Sequence, residues 1–312
     1  MLAPRPSCAR RLPAAGALVV ALAAAACGGD AKVVEGQGDG SAPAAACRVV
    51  RKGVPLPAEV GESSGLAAGR RQPGVYWTHN DSGGEPEVFA LDAAGALLGR
   101  VRVAGASNRD WEDAATGPCP GGACLYLADA GNNSAPRRQR EPVLWRIPEP
   151  APADSVSAPA ARFTASFPRG APDVEAAFVL PDGGVYLITK GSREPVELYR
   201  WPTPLRAGAS QPLVHIRQLM PHPEQPGDRV TGASAAPNGR WVAVRTYSTL
   251  AFYRTTQLLG GGGPAFTMDL TPLGEGQGEA VSLADDGSVL LTSEGSSRPL
   301  PGTAALLACT LP

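Results

Sequence analysis

Carboxylates recur along this chain in matching surroundings. Glu62, Glu112, Glu175 and Glu279 each stand near the start of a short apolar segment, and Thr231 takes the same place in a fifth. A second column, at the ends of later segments, reads Asn80, Asp129, Lys190, Thr246 and Glu294. Asp81 and Asp113 adjoin these positions, as do Arg245 and Tyr247. If the fold gathers the four glutamates, their like charges repel, so the cluster must take up protons, pair with cations or share a metal ion. Three chemistries fit. Each glutamate could accept backbone amides from a neighbouring unit and pin unit to unit. The four glutamates, with Asp81, Asp113 and Asp129, could hold a hard cation such as Ca2+ through oxygen, although no "DxDxDG" loop is present. Two of the carboxylates could instead be the acid and base of a hydrolase; spacing alone assigns no catalytic residue. Lys190, Arg245 and Tyr247 are the groups placed to offset the negative charge.

The knot "HNDSGG" (79–84) interrupts two apolar strands. It reads as a rim turn in which Gly83 and Gly84 relax the backbone and Asp81 and Ser82 cap by side-chain bonding. Rim loops of a rigid scaffold carry binding sites, so it is also a place for a ligand contact. A Ser-His-Asp triad starting from His79 is disfavoured, because sequence neighbours on one turn rarely meet in that geometry. "RRQR" (137–140) reads as a solvated basic loop.

The elements that position these residues repeat. "GVYWTHND" (74–81), "ACLYLADA" (123–130), "GVYLITKG" (184–191), "RWVAVRTY" (240–247) and "SVLLTSEG" (288–295) are β-rich runs ending in polar residues. A more upstream set precedes them: "GESSGLAAG" (61–69), "DWEDAATG" (110–117), "DVEAAFVL" (173–180), "RVTGASAA" (229–236) and "GEAVSLAD" (278–285). Third strands such as "EVFALD" and "VELYRW" follow, and fourth strands such as "RFTASFP". Five four-strand units predict an all-β, five-bladed β-propeller, with six blades as the alternative. Inner strands then line one axis and bring the glutamates face to face. Trp77, Trp111 and Trp241 read as blade-packing residues.

The fifth unit has only three strands before the C-terminus. "CRVVRKG" (47–53) is expected to supply the missing outer strand, so that the termini close the ring and leave no open edge. Closure pairs Cys47 with Cys309, and the hairpin spacing of "CPGGAC" pairs Cys119 with Cys124. The first bond spans more than 250 residues, an entropic stabilisation of very roughly 4–5 kcal/mol. Such bonds belong to an oxidising compartment.

"VYWT" followed by "EVFALDAAG" resembles the YWTD repeat of receptor-type propellers. The arrangement of "SGL", "WTHNDSGG", "DWED" and "GEA" behind a lipoprotein-type leader is similar to secreted bacterial propellers, including phytase-like ones. This resemblance, over residues 61 to about 296, implies the fold and not an activity.

The front of the chain is an address. Arg5, Arg10 and Arg11 precede the 15-residue apolar run "LPAAGALVVALAAAA", which ends in "AAAC" at Cys27. The pattern resembles a bacterial lipobox, with Ala24 where Leu is usual, and implies lipidation of Cys27; an ordinary secretory signal is the alternative. The expected organisation is therefore a signal peptide at 1–27, a flexible tether at 28–46 and a propeller domain at 47–312. With 28 basic and 29 acidic side chains, the composition argues against nucleic acid as a partner. The expected role is an extracytoplasmic binding or scaffold module, in the cell envelope or secreted. Its membrane contact runs through the N-terminal lipid, and a small polar ligand or envelope partner meets the channel. A metal-assisted phosphoesterase or glycosidase is the alternative.

Overall fold

A computed structural model describes residues 44–132, 140–295 and 301–312. The leader, Cys27 and nearly all of the tether lie outside the described residues. Five sheets, each built on four antiparallel strands, follow one another along the chain, and in two of them a short fifth strand, Ser155–Val156 or Ser210–Pro212, adds to the edge in parallel. Blade I comprises Ser63–Ala68, Val75–Asn80, Glu87–Asp92 and Leu97–Arg102. Blade II comprises Trp111–Cys119, Gly122–Asp129, Val143–Pro148 and Ala161–Ser166. Blade III runs from Val174–Val179 through Val185–Thr189 and Val196–Arg200 to Val214–Met220, and blade IV from Val230–Ala235 through Trp241–Thr246 and Thr249–Arg254 to Phe266–Asp269. Blade V takes Gln277–Leu283, Ser288–Glu294 and Thr303–Thr310, and its outer strand is Ala46–Pro55 from the other end of the chain. The fold is the five-bladed propeller that the repeats predict, and among the described residues helix is confined to short segments, the longest being Thr255–Gly260.

The first strand of each blade touches the first strand of the next, and that of blade V returns to blade I. Strand alternation explains how the apolar residues serve both faces of a blade. In blade II, Leu125 and Leu127 face blade I, while Tyr126 and Ala128 face blade III. The hydrophobic core is accordingly divided into five wedges, one between each pair of neighbouring blades. Trp77 and Trp111 fill the wedge between blades I and II, and Trp241 the wedge between IV and V. They are blade-packing residues, as expected.

Both disulfides form: Cys47–Cys309 joins partners across the closing strand pair, and Cys119–Cys124 spans the blade II hairpin. Among the described residues, no helix is long and apolar enough to cross a membrane.

Candidate functional site: an acidic axial mouth

Each inner strand carries one register break against its partner. The breaks fall at Ser64, Glu112, Glu175, Thr231 and Glu279. A bulge frees a residue from the ladder and re-aims its side chain, and here the same defect recurs in five blades around one axis. The bulge column differs from the expected glutamate column in blade I, where Ser64 takes the place assigned to Glu62. Ser64 spends its hydroxyl on the Glu112 carbonyl (2.9 Å). Glu62 belongs instead to a second tier, two residues before the bulge, shared with Asp110, Asp173, Arg229 and Gln277. A third tier stands just after the second strands in blades I to IV, at Asp81, Ala130, Lys190 and Tyr247, and on the last residue of that strand in blade V, at Glu294.

These tiers converge on two trios that share one residue. One carboxylate oxygen each from Asp81, Asp110 and Glu112 lies within 4.8 Å of the others, and the same holds for Glu112, Asp173 and Glu175. Glu112, Asp173 and Glu175 are 4%, 1% and 3% exposed. Among the described residues, Glu112 Oε1, Asp173 Oδ2 and Asp81 Oδ1 have no hydrogen-bond partner. A buried, unpartnered carboxylate oxygen costs several kcal/mol unless something answers it. Two basic side chains bond other carboxylates of the trios and leave those three oxygens unanswered: Lys190 Nζ donates to Glu175 Oε1 at 2.7 Å, and Arg140 Nη1 to Asp110 Oδ2 at 3.1 Å. Of "RRQR", residues 137–139 lie outside the described residues, and Arg140, expected in a solvated loop, pairs with the site.

Burial and mutual repulsion raise the pKa values of several carboxyls of the mouth. Desolvation, then Glu175 and Asp81, push Glu112 well above the carboxylate range. Glu175 rises to about 7 by burial, although Lys190 pulls against it. Asp110 reaches about 6 and Glu294 about 7, each chiefly by burial and then Asp81. Glu279 is raised by burial and by Glu175, with Gln277 Nε2 on its Oε1 at 2.6 Å. Burial opposes the Lys190 ammonium, but Glu175 and Tyr247 outweigh it and hold the proton more tightly.

The remaining expected residues have other duties. Asp113 is fully buried at the axis, where its carboxylate accepts the amides of Ala114 and Ala177 (both 2.8 Å) and Ala233 (3.1 Å). It ties blades II, III and IV together, so the blade-pinning role proposed for the glutamates falls to this aspartate. Asp129 is withdrawn from the mouth: it receives Arg109 Nε at 3.0 Å and the Asp110 amide at 3.2 Å. Arg245 does not offset the glutamates of the mouth. Its guanidinium pairs with Glu275 and donates to the carbonyls of Ala280 (2.7 Å) and Thr292 (3.0 Å). The knot also divides. His79 and Asn80 finish the strand, and His79 is fully buried, edge-on to Trp111 at 5.6 Å, with its pKa lowered to about 4 by desolvation. Asp81 meets the Ser82 amide, as a turn cap does, and also brings a carboxylate oxygen into the mouth, with Oδ1 unsatisfied.

Asp110 and Asp173 escaped the sequence reading. Their signal was present as the spacing Asp-x-Glu in "DWE" and "DVE". Without the bulge, two residues apart on a strand share a face, so nothing marked the pair as converging with other blades.

Gly131 makes the trio possible. A Cβ there would lie 1.9 Å from Glu112 Oε1 and 2.7 Å from Asp110 Oδ2. Gly131→Ala is expected to expel one of these carboxylates and, on the expectation that the mouth holds calcium, to lower calcium affinity at least tenfold, while the near-ultraviolet circular dichroism of the propeller is unchanged. Calorimetric titration checks it; undiminished affinity would remove Asp110 and Glu112 from the site.

No known protein family is matched by the chain, and no curated protein is similar to it. Among solved structures, it is similar to the PQQ-bound aldose sugar dehydrogenase of Streptomyces coelicolor, at 13% identity and a TM-score of 0.53 over 86% of this chain and 99% of that one. It also resembles a gluconolactonase of Xanthomonas campestris (14% identity, TM-score 0.45, 80% and 72% of the two chains) and a streptogramin B lyase (9%, 0.42, 85% and 98%). The first of these shows a shared fold; at such identities no activity transfers. The chain is a β-propeller with a carboxylate-lined axial mouth.

Proposed function

We propose that this propeller is an extracytoplasmic binding module whose axial mouth holds a divalent cation and, through it, a small polar anion. The observation that carries the reading is the pair of trios sharing Glu112, with orphaned buried oxygens on Asp81, Glu112 and Asp173. Ligands about 2.4 Å from a central ion stand no more than about 4.8 Å apart, and the oxygens of each trio lie within that limit. The donor set is entirely oxygen, without His or Cys, and favours a hard ion such as Ca2+ over zinc or copper. Asp81, Asp110 and Glu112 would hold it, with Asp173 and Glu175 completing the shell or a second position. The disulfides fit an oxidising compartment, and the lipobox-like "AAAC" supplies the anchor to the envelope.

A metal-assisted hydrolase is the second reading. It is favoured by Glu175, at about 7, bonded to Lys190, which in turn meets Tyr247. A carboxyl that changes charge near neutrality beside a fixed ammonium is suited to hold and move a proton. Calorimetric titration with calcium is expected to show saturable binding that Glu112→Gln abolishes; no binding to the intact protein overturns the cation reading. Panels of aryl phosphates and aryl glycosides separate the two functions. Turnover lost in Glu175→Gln makes the protein an enzyme, and its absence leaves the binding module.

A further inference from the structure

A groove of about 550 Å³ leaves the axial mouth between blades IV and V. Its walls are Pro226, Tyr247 and Leu270 on one side and Glu275, Gln277 and Gly278 on the other. Two of these walls are bonded directly to the mouth: the Tyr247 hydroxyl meets Lys190, and Gln277 Nε2 donates to Glu279 at 2.6 Å. Groove and mouth therefore form one continuous surface.

Glu275 lies in the groove wall as a built feature. Its side chain is 7% exposed, and one carboxylate oxygen is held by the Arg245 guanidinium. The other, Oε1, is buried with no partner among the described residues. Gly278 creates the room for this pair, since a Cβ there would lie 1.9 Å from Arg245 Nη2 and 2.9 Å from Glu275 Oε2. Because Arg245 already balances the charge, the free oxygen calls for a neutral donor and not a second cation. Beside it stand an aromatic ring, an apolar Leu270 and a Gln277 amide. A carboxylate acceptor, an amide and an aromatic face are the groups that hold vicinal hydroxyls together with the C–H face that carries them.

We propose that this groove takes the hydroxyl-bearing part of a sugar or polyol whose anionic end sits at the axial mouth. The anchoring of the anionic end rests on the cation reading above; the groove itself does not. D-Galacturonate, acetate and D-galactose serve as probes for the whole ligand, its charged end and its hydroxylated ring. With calcium present, galacturonate is expected to bind at least tenfold more tightly than acetate by calorimetric titration. Glu275→Gln turns an acceptor towards the groove into a donor, and Tyr247→Ala removes the ring. Each is expected to erase most of that tenfold preference, and Glu275→Gln, which lies outside both trios, is expected to leave calcium affinity, measured alone, within twofold of the parent. Equal affinity for galacturonate and acetate overturns the proposal, as does a preference that survives both substitutions. If calcium does not bind the parent protein, the axial reading fails separately. Galactose then tests the groove: binding weakened in Glu275→Gln and Tyr247→Ala supports it, and no binding overturns it.

Discussion

Saturating calcium is expected to raise the melting temperature by about 5–10 °C at pH 8 and by a small fraction of that at pH 5. A ligand at a hundred times its dissociation constant stabilises by about 2.7 kcal/mol, and about 2–4 °C accompany each kcal/mol in a domain approaching this size. The pH dependence follows from the raised carboxyls. Glu175 moves from 4.5 unfolded to about 7 folded, so the folded state holds a proton that the unfolded chain has released. Its contribution is complete below the unfolded value and is lost as pH climbs through about 7, on the order of 3 kcal/mol for this one residue. Glu112 and Glu279, raised by the same burial, act in the same direction. His79 runs the other way: with a pKa lowered from 6.5 to about 4, its contribution is lost as pH falls through that window.

Without calcium, then, the protein loses stability between pH 5 and pH 8 as protons leave the mouth. On the proposed cation reading the ion takes over their role, so its effect is expected to be largest where they are gone. Glu112→Gln separates this from a general salt effect. The neutral amide relieves the repulsion and raises the calcium-free melting temperature at pH 8, yet it removes the calcium-induced rise. A calcium-free melting temperature that is level or rising from pH 5 to pH 8, with an equal calcium shift at both, would refute the account.

Loss of the Cys47–Cys309 bond is expected to be the most destabilising change outside the mouth. Its partners are 262 residues apart and sit opposite each other where the first described strand meets the last. In the unfolded chain the bond closes nearly the whole domain into a loop, which corresponds to about 5 kcal/mol of lost chain entropy. In the folded state it holds the largely exposed strand Ala46–Pro55 against Thr303–Thr310, the junction through which the ring can open. A Cys47→Ala, Cys309→Ala double variant should melt about 10–20 °C lower. Amides of the 46–55 strand should also exchange with solvent well before those of blades II to IV. Removing Cys119–Cys124, five residues apart within one hairpin, should cost about 2 kcal/mol or less. Equal effects of the two removals would show that ring closure does not depend on the long bond.

The two results bear on different levels of legibility. Blade number, the shared last blade and both cysteine pairs were readable from residue order, because repetition and alternation are local properties that survive in one dimension. Glu112, Glu175 and Glu279 were readable for the same reason: each stands in a repeated context, and pseudo-symmetry about an axis brings equivalent positions together. Glu62 was placed in the wrong tier, and Asp110 and Asp173 were missed, because an inserted bulge shifts register by one residue without changing the apolar pattern around it. The fates of Asp113 and Arg245 were equally hidden. Whether an acid takes three backbone amides, as Asp113 does, or is left with an orphaned oxygen, as Glu112 is, depends on what the neighbouring blades present. Those neighbours lie some fifty or more residues away along the chain, and their distances exist only once five blades have closed into a ring.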